Sequence, residues 1–370
     1  MKNELEIIDT IKLLIYKENP SILEKVDFDD DTIFLDPLLP AYFNSKKDNL
    51  FPTEMLTEIM QGYFLQKEPL QLNYSYNKEG IAYIPKLGYF KQGQKIDEIL
   101  VIDSFEIVKT IHPVLEKYFV ESYKGHITNP NPAHKSVWQN NYQELEQAIL
   151  IIKEHLPEFY KNLVLANKKI YLHDNPKILN FTSVETLGML NFYVLGNNNL
   201  IYFIEELIHQ GSHNFLYYLV HNKKEYFNID VERIIMRELT NEDWDYRNVY
   251  GAYHGLFTVT NRVESFDILL SGNVFSGTEK HELLGRFTDQ FNRFRTGLEL
   301  LNLEEVYTQK GIELYRKLDQ KCMETLNKYE KLKSEFDLSN RDLDFRYEDF
   351  CKLNSFEEFL IRDKQEFYKF

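Results

Sequence analysis

The chain reads as an α+β protein, predominantly α-helical, with a small sheet beside a metal-binding helix. Three observations predict this. Apolar residues recur every three or four positions over several long stretches, and short β-rich runs bounded by turn residues lie between them. One stretch, IEELIHQGSHNF at residues 204–215, sets two histidines four apart in an apolar helical pattern.

The bulk composition supports a folded interior and limits the partners. Of 370 residues, 43% are hydrophobic and 15% aromatic, ample for a buried core. A net charge of −15 opposes a nucleic-acid footprint or an anionic membrane surface, both of which require clustered Lys and Arg. No window has the continuous apolar length of a membrane span. Cys322 and Cys351 are too few for a disulfide framework or a thiolate metal site, which points to a reducing cytoplasm. The opening MKNELEIIDTIKLLIYKENP carries acids inside its apolar pattern and has no small-residue cleavage site, unlike a secretory signal. Oligomeric state stays open, because a dimer seam and a core stripe have the same pattern.

Element by element, Leu5, Ile8, Ile11, Leu14 and Ile15 mark a first amphipathic helix that Pro20 ends. The β-rich runs DTIFL, GIAYIPKLGYF and EILVIDS follow, and FEIVKTIHPVLEKYFVESY has a helical pattern. GHITNPNPAHKSVW, at about 125–137, collects turn residues and divides an α+β region, 1–137, from a mainly helical metal-binding region, 138–370. The first region is a candidate for substrate or partner recognition. In the second, NNYQELEQAILIIKEHLPEFYKNLVLANKK is helical, and KIYLHD and LGMLNFYVLG read as strands that deliver the chain to the histidine helix at about 199–221. Helical patterns then run through VYGAYHGLFTVTNRVESFDILL and TEKHELLGRFTDQFNRFRTGLELLN, and residues 303–338 suggest one long surface helix or a helical pair.

Positions i and i+4 share one helix face, so the imidazoles of His209 and His213 can converge on one ion. Glu206 falls on the same face and serves either as a third ligand or as an orienting acceptor. With ten histidines in the chain such a pair arises by chance in roughly a quarter of cases, so spacing alone is weak. What sharpens it is the apolar surrounding and the adjacent acids Glu205 and Glu206, since buried polar groups need partners. A buried hydrogen-bond cluster is the competing explanation. Zinc peptidases use H-E-x-x-H, where the Glu activates metal-bound water, and here that position is Gln210, an amide that cannot take the proton. Chemistry that needs the ion but not the base fits better, and non-haem Fe(II) oxygenases are such a class. His254, beside Gly251 and Gly255, is a candidate third ligand from a separate helix, or else a core histidine. HELLG at 281–285 lacks the second histidine and reads as an exposed helix start.

FTSVETLGMLNFYVLG, EELIHQGSH and RNVYGAYHGLFTVTNR, spread over residues 145–300, resemble the HExxH-type peptide modification family. Its α-ketoglutarate-dependent enzymes hydroxylate the β-carbon of residues in ribosomally made peptides. The resemblance implies an Fe(II)/α-ketoglutarate oxygenase acting on a C–H bond of a peptide or carrier-bound peptide. It makes His209, His213 and His254 iron ligands and departs from the family at Gln210, which with Glu206 forms the candidate catalytic pair beside them. Arg262, and next to it in preference Arg247, would hold the distal carboxylate of α-ketoglutarate, a two-pronged task suited to a guanidinium. For both arginines the plain alternative is a solvated helix charge. Two other functions stay open: a zinc hydrolase whose base is displaced to Glu206 or Glu205, and a non-catalytic binding protein on the same fold.

Overall fold

The computed structural model of the chain describes residues 2–46, 50–66, 73–121, 126–128, 137–195, 198–295, 297–341 and 345–370. The loop at 125–137, expected to divide the chain, lies largely outside these, as does His134. The class is α+β and predominantly helical. By packing, the chain forms two compact units that interleave in sequence: 1–149, 161–199 and 217–219 in one, and 150–160, 200–216 and 220–370 in the other. A single cut at 137 does not coincide with them, because 138–149 and 161–199 belong to the first unit.

The first helices are α1 (Lys2–Glu18), α2 (Leu38–Lys46) and α3 (Glu54–Met60). DTIFL, expected as a strand, is a 3-10 helix at Asp31–Leu35, because the Asp30 side chain accepts from the Thr32 amide at 3.0 Å and caps it. Strands β1 (Ala82–Ile84), β2 (Gly88–Lys91) and β3 (Gln94–Asp97) form an antiparallel sheet. Next come β4 (Leu100–Ile102) and β5 (Phe105–Val108), then helices α4 (Val137–His155) and α5 (Pro157–Ala166), separated at Pro157. Strands β6 (Lys169–His173) and β7 (Met189–Tyr193) complete a second sheet of order β4-β5-β6-β7, in which β5, β6 and β7 are parallel.

FEIV, expected to open a helix, is therefore a central strand. It is paired on both sides and buried at every position, Glu106 included, so it lacks the apolar–polar alternation that marks a half-buried strand. Downstream, Pro113 starts a 3-10 helix capped by His112, whose Nδ1 accepts from the Val114 amide at 3.1 Å.

The chain leaves β7 for α6 (Leu200–Leu219), which carries the histidine pair, followed by the short α7 (Met236–Thr240). Helix α8 (Val249–Ser271), capped by Asn248, touches both α9 (Gly277–Arg295) and α10 (Gln309–Lys328). In α10 the buried residues Ile312, Tyr315, Leu318, Cys322 and Leu326 form one stripe, so the expected long surface pattern resolves into this helix and a 3-10 turn at Glu330–Ser334. Helices α11 (Tyr347–Leu353) and α12 (Phe356–Lys364) close the chain. Among the described residues no helix is long and apolar enough to cross a membrane.

The first unit buries an ionic cluster. Lys169 Nζ lies 3.1 Å from both Asp36 Oδ2 and Glu106 Oε2, with all three side chains almost wholly out of solvent. Tyr63 donates to Asp36 and Tyr83 to Glu106. A buried ammonium is tolerable only because two carboxylates face it, and removing it leaves them uncompensated. Lys169→Met should lower unfolding stability by about 3–5 kcal/mol in urea denaturation; a change below about 1 kcal/mol would show that the cluster is not ionised.

Candidate functional site

Helix α6 is apolar nearly all round: Leu200, Ile201, Phe203, Ile204, Leu207, Ile208 and Leu216 are buried. Against that background its polar side chains must find partners, and α8 supplies them. Arg262 Nη1 donates to Glu205 Oε1 at 3.2 Å, Asn261 Nδ2 to Ser212 Oγ at 2.9 Å, and His254 Nδ1 meets His213 Nδ1 at 2.8 Å. Pairs 205–262 and 213–254 run in opposite senses along the two helices, so α6 and α8 are antiparallel across the site.

Glu205 anchors this arrangement. It also accepts from Arg286 of α9, whose Nε and Nη2 donate to Glu282 at 2.8 and 2.7 Å. Burial alone would raise the Glu205 carboxyl, but Arg286, then Arg262 and Arg293, hold it at about 2, so it is ionised. Arg293 in turn donates to Asp289 at 2.6 Å. Arg262 is less well satisfied: burial and the nearby Arg293 lower it to about 10, and its Nε has no hydrogen-bond partner among the described residues. It is 2% exposed, so the reading of Arg262 as a solvated helix charge is corrected. Arg247 is instead clamped to Asp245 through Nε at 2.8 Å and Nη2 at 2.7 Å, which spends the fork proposed for a carboxylate ligand.

The three histidines come together in a row. His209 Nε2 and His213 Nε2 are 3.3 Å apart, and His213 turns its other nitrogen, Nδ1, to His254. Burial first pushes His209 and His213 well below the ordinary histidine range, followed by the charge of Arg262 at His209 and by His209 and then Arg262 at His213; burial and His213 do the same for His254. All three rings are therefore neutral near pH 7, with a lone pair on one nitrogen each. His209 keeps 22% of its side-chain surface open, so the pair is reachable from solvent.

Glu206 and Gln210 lie on the far edge of His209. Glu206 Oε2 is 3.7 Å and Gln210 Nε2 3.4 Å from His209 Nδ1, and Gln210 donates to Glu206 at 3.3 Å. Burial, then the Glu205 charge, raises the Glu206 carboxyl to about 7.

Two ligand nitrogens at about 2.1 Å from one ion and 90–110° apart stand about 3.0–3.4 Å from each other. The Nε2 atoms of His209 and His213 meet that condition. The expected set of three does not: His254 faces the opposite edge of His213, Glu206 faces the back of His209, and among the described residues no group of three His, Cys, Asp or Glu side chains is arranged to hold a metal ion. The residues present thus fit two protein ligands to one ion.

The glycines near His254 serve packing and capping. A Cβ on Gly255 would lie 2.9 Å from Leu298 Cδ2, and one on Gly251 2.9 Å from the capping Asn248 Oδ1. HELLG is also corrected: His281 is fully buried in α9, its ring between Phe350 and Phe359 at 4.9 and 4.7 Å and its Nδ1 2.9 Å from Tyr347 Oη. Sequence reasoning missed Arg286 and Glu282; their i,i+4 spacing on α9 was the available signal.

The ionised Glu205 gives a pH signature. Its folded value of about 2 lies below the ordinary 4.5, so its stabilisation is present above the unfolded value and is lost as the pH falls toward 2. Glu205→Gln should cost about 3–5 kcal/mol at pH 7 in urea denaturation, with the gap to wild type narrowing below about pH 4.5. A gap unchanged down to pH 3 would refute the ionised pair.

Compared with models of known protein families and with curated protein sequences, the chain matches none.

Proposed function

We propose that the chain is a non-haem Fe(II), α-ketoglutarate-dependent oxygenase that hydroxylates a C–H bond of a peptide or carrier-bound peptide. The observation that carries this reading is the pair of facing Nε2 atoms on α6, 3.3 Å apart, in the electrostatic reach of a buried arginine with an unspent donor. His209 and His213 would hold the metal. Iron(II) with α-ketoglutarate and O₂ supplies the oxidising power for an unactivated C–H, which no protein side chain has.

The chain's own residues define the rest. Two neutral imidazoles would hold the ion without adding charge to it. Arg262 offers its unpaired Nε to the distal carboxylate of the cosubstrate. Gln210 spends its amide on Glu206, and it takes no part in proton transfer.

The same geometry argues against the zinc hydrolase. A displaced base would have to reach water on the Nε2 side of the pair, yet Glu206 faces the Nδ1 edge of His209 and Glu205 is held ionised between two arginines.

Anaerobic reconstitution tests the reading. About one Fe(II) per chain should bind, and α-ketoglutarate should be converted to succinate with O₂ uptake; His209→Ala should abolish both. Arg262→Lys keeps a cation opposite Glu205 but loses the planar fork, and should weaken α-ketoglutarate binding about 10–100-fold. Zinc with peptide cleavage in the absence of cosubstrate would favour the hydrolase instead, and no bound metal would favour a non-catalytic binding protein.

A further inference from the structure

We infer that His254 is a positioning residue that fixes the tautomer of His213 from behind, and that it is not itself a metal ligand. This rests on the proposed metal site and goes beyond it. One imidazole cannot turn both nitrogens to one ion, because they project from opposite sides of the ring. His213 points Nε2 at His209 and Nδ1 at His254, so a shared ion on the Nε2 side leaves His254 on the wrong edge to reach it.

The contact between the two Nδ1 atoms is 2.8 Å, short enough for a hydrogen bond, and a hydrogen bond needs one proton between them. If His213 were the acceptor, its own proton would sit on Nε2 and point at His209, blocking the lone pair a metal needs. If His213 donates from Nδ1, its Nε2 is bare and directed toward His209 Nε2. Metal uptake therefore selects the arrangement in which His254 Nδ1 accepts. The Nδ1 of His209 has no such single acceptor behind it: Gln210 Nε2 lies 3.4 Å and Glu206 Oε2 3.7 Å from it. The His254 ring is held for this task by Tyr250, which meets it edge-on at 4.4 Å between centroids.

The consequence is a site with two protein ligands rather than three, and one more open position for the reactants. Co(II) titration of the full chain, read by visible absorption and by competition with a metal-binding dye, tests it without reference to turnover. Wild type should take up one Co(II), and His209→Ala should lose uptake. His254→Ala should bind about 10–100-fold more weakly with an unaltered absorption envelope. His254→Asn, whose amide oxygen stands where Nδ1 stood and accepts the same hydrogen bond, should recover affinity to within about threefold of wild type. The inference is overturned if His254→Asn loses Co(II) as His209→Ala does or changes the absorption envelope, either of which would make His254 a ligand. It is equally overturned if His254→Ala binds as tightly as wild type. A wild-type chain that takes up no Co(II) would overturn the proposed metal function itself, and this inference with it.

Discussion

The ionised Glu205, shared between Arg262 of α8 and Arg286 of α9, is the contact on which the geometry of the second unit depends. A carboxylate in an apolar helix is costly unless it is paired, so α6 can be buried only in a register that brings both guanidinium groups to it. Once that register is set, antiparallel packing carries His213 to His254 two turns away. The histidine row follows from an ionic constraint at the other end of the same helix face.

The cluster also sets the chemistry available. Glu205 and Glu282 together hold Arg286, leaving Arg262 with one long bond to Glu205 and a bare Nε. Burial first, with the charge of Arg262 adding to it, keeps the rings of His209 and His213 neutral. Glu206 responds in the opposite direction, drawn toward its neutral form by burial and by Glu205. Adjacent glutamates thus take different roles because one faces two arginines and the other faces an amide.

Within the first unit the same rule operates around Lys169, where two carboxylates and two tyrosines compensate a buried ammonium. The pairings that centre each cluster could not be read from local sequence, because Glu205 lies 57 and 81 residues from Arg262 and Arg286, and Lys169 is as remote from Asp36 and Glu106; only the i,i+4 pair Glu282–Arg286 is local. Arg262 is the plain instance: on a helix rich in polar residues nothing marks it as buried until α6 and α9 are in place.

The sequence by itself determined the helices of the second unit, since the three-to-four periodicity around His209, through 249–271 and along α10 is a local property that burial only completes. It determined the i,i+4 histidine pair and placed the amide of Gln210 beside it for the same reason. Tertiary structure decided what periodicity could not: that FEIV is a central strand, that DTIFL is a capped 3-10 turn, and that His281 is buried among aromatic rings. It also decided which nitrogen of each imidazole faces which neighbour. That choice depends on the rotation of side chains against a second helix, a long-range packing outcome that residue spacing along one chain does not encode.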